Sequence, residues 1–310
     1  MDPVTHTLVG ASLAQTGLKD RTALGTATLL VGANLPDVDV LAYFWGNETA
    51  VWFRRGLTHG LLALVVLPLV LTGVVLLWDR AVRRPAAGEQ RPVVPRQVLM
   101  LAALAVATHP LLDFLNVYGM RWLAPFSWRW FYGDTLFIVD PWVWGLLAAG
   151  IWLARRGTVW PKLGMTAAVV YTLGMWGSGQ AARNYVSDEL KKAGVTVQRA
   201  VAAPMAVTPF VRWVVVETAG GYSAGVFHWL PRPRVDLQPL PFDRGPEQPM
   251  AEAAVEATQA RRFLAWARFP YFLVSREGEG YAVRIGDARY TLDPESSWAS
   301  TTIHVDSSVP

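Results

Sequence analysis

The sequence predicts an all-α integral membrane domain over residues 1–180, with about four full spans and a short N-terminal helical hairpin. A smaller α+β soluble domain over residues 181–310 follows. Three observations carry this. Of 310 residues, 52% are hydrophobic and only 17% charged, against about 25% charged in an ordinary soluble domain. Four stretches are long enough to span a bilayer, which takes about 20 residues. Near residue 180 the long apolar runs give way to polar residues, prolines and strand-like alternation.

The elements follow in order. Val4–Gly17 is a small-residue helix, and Ala23–Ala33 is an apolar helix stopped by Pro36, because proline disfavours helix before and at its own position. These two form the hairpin, turning at Lys19-Asp20-Arg21. The four spans are Leu57–Trp78, Gln97–Val117, Phe137–Ala154 and Val159–Gly179. In the second domain, Val207–Thr218 and Tyr222–Trp229 flank Gly220-Gly221, a hairpin signal. Tyr271–Arg276 and Tyr281–Ile285 flank Gly278-Glu279-Gly280 in the same way. Gln248–Arg268 fits a helix, and Pro231–Pro249, with six prolines, reads as an extended loop.

Charge sets the expected orientation. Threading six segments in alternation puts ten basic residues on one face: Lys19, Arg21, five arginines between Asp79 and Arg96, Arg155, Arg156 and Lys162. The opposite face collects Arg54, Arg55, Arg121 and Arg129. The positive-inside rule makes the first face cytoplasmic and the C-terminal domain extracytoplasmic. These arginines flank apolar segments, so no nucleic-acid partner is expected. No secretory signal is expected either, since Met1–Ala14 lacks a basic start.

Six potential metal ligands stand among these segments: His6, Asp37, Asp39, His59, His109 and Asp113. An ionisable group in such a setting is costly and needs a partner. The threading places them near one membrane level, with His109 one turn deeper. The chain has no cysteine, so a metal must take nitrogen and oxygen ligands. His109 and Asp113, at i and i+4, share one helix face. Asp37-Val38-Asp39 follows a Pro-terminated helix. Each motif alone has an ordinary reading: a solvated turn for the Asp pair, an interfacial ring for His6 or His59, a helix–helix hydrogen bond for His109 and Asp113. Together they suit one or two divalent ions, zinc first and then manganese or magnesium. Such ions acidify water and polarise a phosphoryl or carbonyl oxygen. Arg55 and Arg121 have two readings, snorkelling anchor or phosphate clamp. H-E-x-x-H, G-x-S-x-G, Walker and G-x-G-x-x-G motifs are absent.

The segments Thr5–Gly10, Asn34–Asp39, Arg55–Gly60 and Thr108–Asp113 resemble the LexA-regulated, inner-membrane metal-dependent hydrolase family. Asn116–Ser127 and Gly133–Trp142 are similar to a longer subgroup of it. The resemblance covers about residues 1–180. It implies a metal-dependent hydrolase, and that Asn116, Asp134 and Asp140 also line the site.

The residues therefore point to hydrolysis at the outer leaflet of the inner membrane, on a lipid phosphoester or another lipid-linked substrate. The six ligands hold the metal, Asp37 also acts in catalysis, and Arg55 or Arg121 steadies developing charge. The rival is a non-catalytic divalent-metal binder or transporter. A third reading makes the membrane half an anchor for the C-terminal domain.

Overall fold

The computed structural model describes residues 1–46, 52–83, 91–241, 249–290 and 298–306. It divides into two compact units, Met1–Trp176 and Gly177–Pro310.

The first unit is helical. Helix α1 (Pro3–Gln15) starts cleanly because Asp2 caps it, accepting from the Val4 and Thr5 amides at 2.9 and 3.1 Å, with Pro3 at the first helical position. These are the preferences of a helix N-terminus. Helix α2 (Gly25–Asn34) hands over to a 3₁₀ segment, Leu35–Trp45, at Pro36. Helices α3 (Ala63–Ala81) and α4 (Pro95–Phe114) follow, then α5 (Pro141–Leu153) and α6 (Val159–Lys192), whose residues from Gly177 onward belong to the second unit.

The helices meet through small residues, as membrane helices do. A side chain at Gly32 on α2 would put its Cβ 2.8 Å from the Ala105 Cβ on α4 and 3.3 Å from Leu71 on α3. The core beside it joins Val9, Leu13, Leu29, Ala33, Leu101 and Leu136. Gly32→Ala is therefore expected to destabilise by about 1–3 kcal/mol through overpacking. Gly73→Ala, on α3 with nothing within 4 Å of its Cβ position, is the control. Melting in detergent should fall for the first and not the second.

The four-span expectation is corrected. Among the described residues two helices, α3 and α4, are long and apolar enough to cross a membrane. The stretch Phe137–Ala154 is not one helix. Asp140 caps α5, Pro141 opens it, and its 13 residues span about 20 Å at 1.5 Å each, short of the roughly 30 Å hydrocarbon layer. The fourth stretch lies in α6, 34 residues long. Its first half is diluted by Lys162, Trp, Tyr, Thr and Gly, and its second half is polar. The two spans also expose apolar faces unlike a soluble core: Val65, Leu69, Val74 and Leu77 on α3 are all more than half exposed.

The second unit contains two antiparallel sheets. One is β1 (Val197–Pro204), β2 (Val211–Thr218), β3 (Gly221–His228) and β4 (Arg234–Pro239), in that order. The other is β5 (Pro270–Glu277), β6 (Gly280–Asp287) and β7 (Ser300–Val305). Both expected hairpins form. The expected Gln248–Arg268 helix is two pieces, α7 (Pro249–Val255) and α8 (Thr258–Trp266). Part of the expected Pro-rich loop is β4, which pairs with β3 from Arg234 to Pro239. Its prolines stand at the strand's flank and end, on a sheet edge, where a missing N–H costs least. Residues 242–248 of that loop lie outside the described residues. Val201, Val215, Tyr222, Phe269 and Tyr271 form a core shared by both sheets.

Candidate metal centre

Four elements of the first unit bring the chemistry together. The 3₁₀ segment after α2 carries Asp37 and Asp39. The chain between that segment and α3 carries Arg54, Arg55 and His59. It is pinned where Gly60 packs on Ala124; a Cβ there would lie 2.3 Å from the Ala124 carbonyl oxygen. Helix α4 supplies His109 and Asp113 from one face, both fully buried, and α1 supplies a fully buried His6.

Asp37, His59, His109 and Asp113 offer one ligand atom each, all within 4.8 Å of one another. His59 Nε2 and His109 Nε2 are 3.1 Å apart. Asp113 Oδ2 is 3.3 Å from the first and 3.7 Å from the second. Asp37 Oδ1 lies 3.9 and 3.7 Å from the same two nitrogens. Tetrahedral ligands at the 2.0–2.1 Å of a zinc–nitrogen or zinc–oxygen bond stand about 3.3 Å from one another. The cluster has that size.

The hydrogen bonds on the far side of each ring decide what the near side can do. His109 Nδ1 lies 2.7 Å from the Ala33 carbonyl oxygen, which can only accept, so Nδ1 carries the proton. Thr58 donates its hydroxyl to Asp39 Oδ2 at 3.2 Å. Its oxygen, 2.9 Å from His59 Nδ1, must then accept from that ring nitrogen. Burial, with His109 and Arg55 nearby, holds the His59 imidazole well below its usual pKa and so neutral. With both rings neutral and protonated at Nδ1, the two Nε2 atoms, 3.1 Å apart, would present lone pairs to each other. Two acceptors do not hydrogen-bond. Asp113 Oδ2 beside them is buried and accepts no hydrogen bond among the described residues. A shared cation resolves this arrangement, and these residues could hold a metal ion.

Asp39 and His6 stand one contact away. Asp39 Oδ2 accepts from the Arg55 amide at 2.8 Å and faces His59 Nδ1 at 3.4 Å. It orients His59 from behind. Burial, and the charge of Asp37, raise its carboxyl above the usual pKa, against the pull of the Arg55 amide and Arg54. The His6 ring stacks on His109 with centroids 3.7 Å apart, and its Nε2 lies 3.3 Å from Asp113 Oδ1. Neither His6 nitrogen has a hydrogen-bond partner among the described residues. The Met1 ammonium also contacts Asp113 Oδ1. Outer partners of metal ligands are worth 10–100-fold in affinity. Asp39→Ala is accordingly expected to weaken metal binding by about that factor, read by competition with a metal-sensing dye.

The arginines divide. Arg55 is buried, with Nε 3.1 Å from Asp113 Oδ2, and donates to Asn116 Oδ1 at 2.9 Å and to the Gly119 carbonyl at 3.2 Å. Its guanidinium lies 4.7 Å over the Tyr118 ring. Arg121 does not face the cluster. It sits among the rings of Trp52, Trp128 and Trp130, at 5.3, 5.2 and 4.6 Å, and donates to the carbonyls of Trp52 and Arg54. Burial pulls its pKa down to about 10, with Tyr118 and Asp39 opposing. Arg121 holds the Trp52–Arg55 backbone in place.

Asn116 bonds to Arg55 and so borders the centre. Asp140 caps α5, accepting from the Trp142 and Val143 amides at 3.0 and 3.1 Å. Asp134 takes a left-handed backbone, φ 50°. Thr58 and the Ala33 carbonyl fix the ring tautomers and had no sequence signal beyond the position of Thr58 beside His59.

A family model described as YdjM inner membrane protein matches residues 1–182, the span that holds every residue of this centre. The chain belongs to the YdjM inner membrane protein family. Among curated proteins, the uncharacterized protein YfhP of Bacillus subtilis (strain 168) is 26% identical over 164 residues, covering 50% of this chain and 47% of that protein. The chain thus matches about half the length of that relative. No solved structure matches. The inner membrane is therefore where the family places this chain, in keeping with two candidate spans. Neither match speaks to regulation by LexA or to hydrolysis.

Proposed function

We propose that this member of the YdjM family is a membrane-bound metal-dependent hydrolase that cleaves a phosphoester of a membrane lipid. The observation that supports it most is the spacing of the candidate ligand atoms, with His59 Nε2 and His109 Nε2 3.1 Å apart beside Asp113 Oδ2. His59, His109, Asp37 and Asp113 would hold one divalent ion, for which zinc suits the spacing. Such an ion acidifies water to near neutral pH and polarises a phosphoryl oxygen.

The protein's own groups do the rest. Thr58, itself held by Asp39, and the Ala33 carbonyl fix the two rings, and Asn116 and Asp113 hold Arg55. Arg55 pairs with the buried Asp113 carboxylate at 3.1 Å and adds positive charge where a phosphoryl group gains negative charge. Asp37, whose side chain is 20% exposed while that of Asp113 is 1% exposed, is placed to meet water and substrate.

The connection between the two candidate spans and the helix ends beside it carry five arginines from Asp79 to Arg96, part of it outside the described residues. We place it in the cytoplasm. His59 and Asp113 then lie at the opposite ends of α3 and α4, towards the outer leaflet, and the C-terminal domain follows on that side.

The test is hydrolysis of phospholipid phosphoesters by purified protein in mixed micelles, before and after removal of metal with a chelator. Turnover that a chelator abolishes and added zinc or manganese restores is expected. Tight stoichiometric metal with no turnover on any lipid phosphoester would favour a metal-binding protein without catalysis.

A further inference from the structure

We propose that Arg54 is the side chain that receives the anionic phosphate of a phospholipid substrate. This rests on the metal-centre reading and names which residue recognises the substrate. The three arginines of the region differ in what they have left to give. Arg121 is held between three tryptophan rings and two carbonyls, and Arg55 is held by Asp113, Asn116 and Gly119. Arg54 is different. Its Nη2 lies 3.6 Å from Asp37 Oδ1 and its Nε 4.0 Å from Asp39 Oδ1, both beyond hydrogen-bond length. Its guanidinium donates no hydrogen bond to any described residue. Five donors therefore face a site with nothing but loose ion pairs to occupy them.

Exposure says which way the site opens. The side chains of His59, His109, Asp113, Arg55 and Asp39 are 0–4% exposed, while Asp37 and Arg54 are 20% and 24% exposed. Whatever approaches the cluster meets Asp37 and Arg54 first. An oxyanion beside the Arg54 guanidinium, at the open edge of the ligand cluster, would satisfy its fork bidentately, the geometry arginine offers phosphate.

The same entrance is apolar. The 3₁₀ segment that turns Asp37 and Asp39 inward leaves Val38, Val40, Leu41, Phe44 and Trp45 exposed, Phe44 at 84% and Trp45 at 73%. Arg54 itself lies 5.9 Å from the Tyr43 ring centroid. A cation between carboxylates and an exposed apolar strip fits a ligand with a charged head and a hydrocarbon tail, in a family of the inner membrane. Free phosphate would use Arg54 and gain nothing from the strip.

The experiment uses the full chain in detergent, loaded with zinc. Dihexanoyl phosphatidic acid and inorganic phosphate are titrated by calorimetry, and bound metal is counted in the same samples. The wild type is expected to bind the lipid more tightly than inorganic phosphate. Arg54→Gln is expected to keep its metal and lose roughly 10- to 100-fold in lipid affinity, the range for a hydrogen-bonded charge. Arg54→Lys should recover part of that loss, since lysine keeps the charge and loses the fork. Wild-type affinity in Arg54→Gln with its metal intact would overturn the assignment. So would inorganic phosphate binding as tightly as the lipid, which would make the ligand a free anion. Metal absent from the wild type would sink the metal reading alone, because the effect of Arg54 on lipid binding is measured separately.

Discussion

Elemental analysis of the purified wild-type protein is expected to find one divalent ion per chain, and of His109→Ala to find none. His109 gives up one of four ligands, and the loss does not stop there. His59 Nε2 loses its neighbour at 3.1 Å, the Ala33 carbonyl loses its donor, and His6 loses the ring it stacks on. The drop in affinity should exceed the 10–100-fold typical of an outer partner, enough to empty the site during purification. Metal content in His109→Ala equal to wild type would remove the centre from consideration. Acid should act in the same direction. The fold holds His59 neutral, with a pKa well below its usual value, while the unfolded chain takes up that proton near pH 6.5. Below about that pH the unfolded state binds more protons than the folded one, so stability falls as pH falls. Melting of the chelated protein between pH 8 and pH 5 measures it.

Much of this centre was legible because its ligands come from short motifs at chain breaks and on one helix face. His109 and Asp113 converge by the i, i+4 rule alone, and Pro36 forces the turn that brings Asp37 in. The division between Asp37 and Asp39 was not legible. In a strand the two side chains would point the same way, but a 3₁₀ segment rotates successive residues by about a third of a turn. Asp37 therefore faces the Nε2 side of His59 and Asp39 the Nδ1 side. The role of Arg121 was also hidden, because its cage is built from Trp52, Trp128 and Trp130, far apart in sequence. The span count failed for a different reason. Apolar length was counted across Asp140-Pro141, where a cap and a proline restart the helix, and across the Gly-, Trp- and Thr-rich half of α6. Strand β4 escaped because prolines were read as loop, although a sheet edge tolerates them.

The sharpest remaining contrast is between the two carboxylate ligands. Asp113→Asn and Asp37→Asn should both abolish metal-dependent turnover, since each removes one charged ligand and keeps the shape. Their effects on stability should differ widely. Asp113 and Arg55 form an ion pair whose side chains are 1% and 4% exposed, 3.1 Å apart. Losing one partner of a buried pair leaves the other charge uncompensated, at a cost of about 3–5 kcal/mol. Asp37 faces Arg54 at 3.6 Å with both side chains at least 20% exposed, and water screens what is lost, so less than about 1 kcal/mol is at stake. Under the proposed reading Asp113 is both a metal ligand and the counter-charge that makes Arg55 tolerable inside a helical bundle. Asp37 would be the ligand at the open edge. Chemical denaturation in detergent, run beside metal content and turnover on both variants, separates the roles. An Asp113→Asn protein as stable as wild type would show that Arg55 has another anion to rest on. Full chelator-resistant turnover in either variant would rule out metal-dependent hydrolysis at this centre.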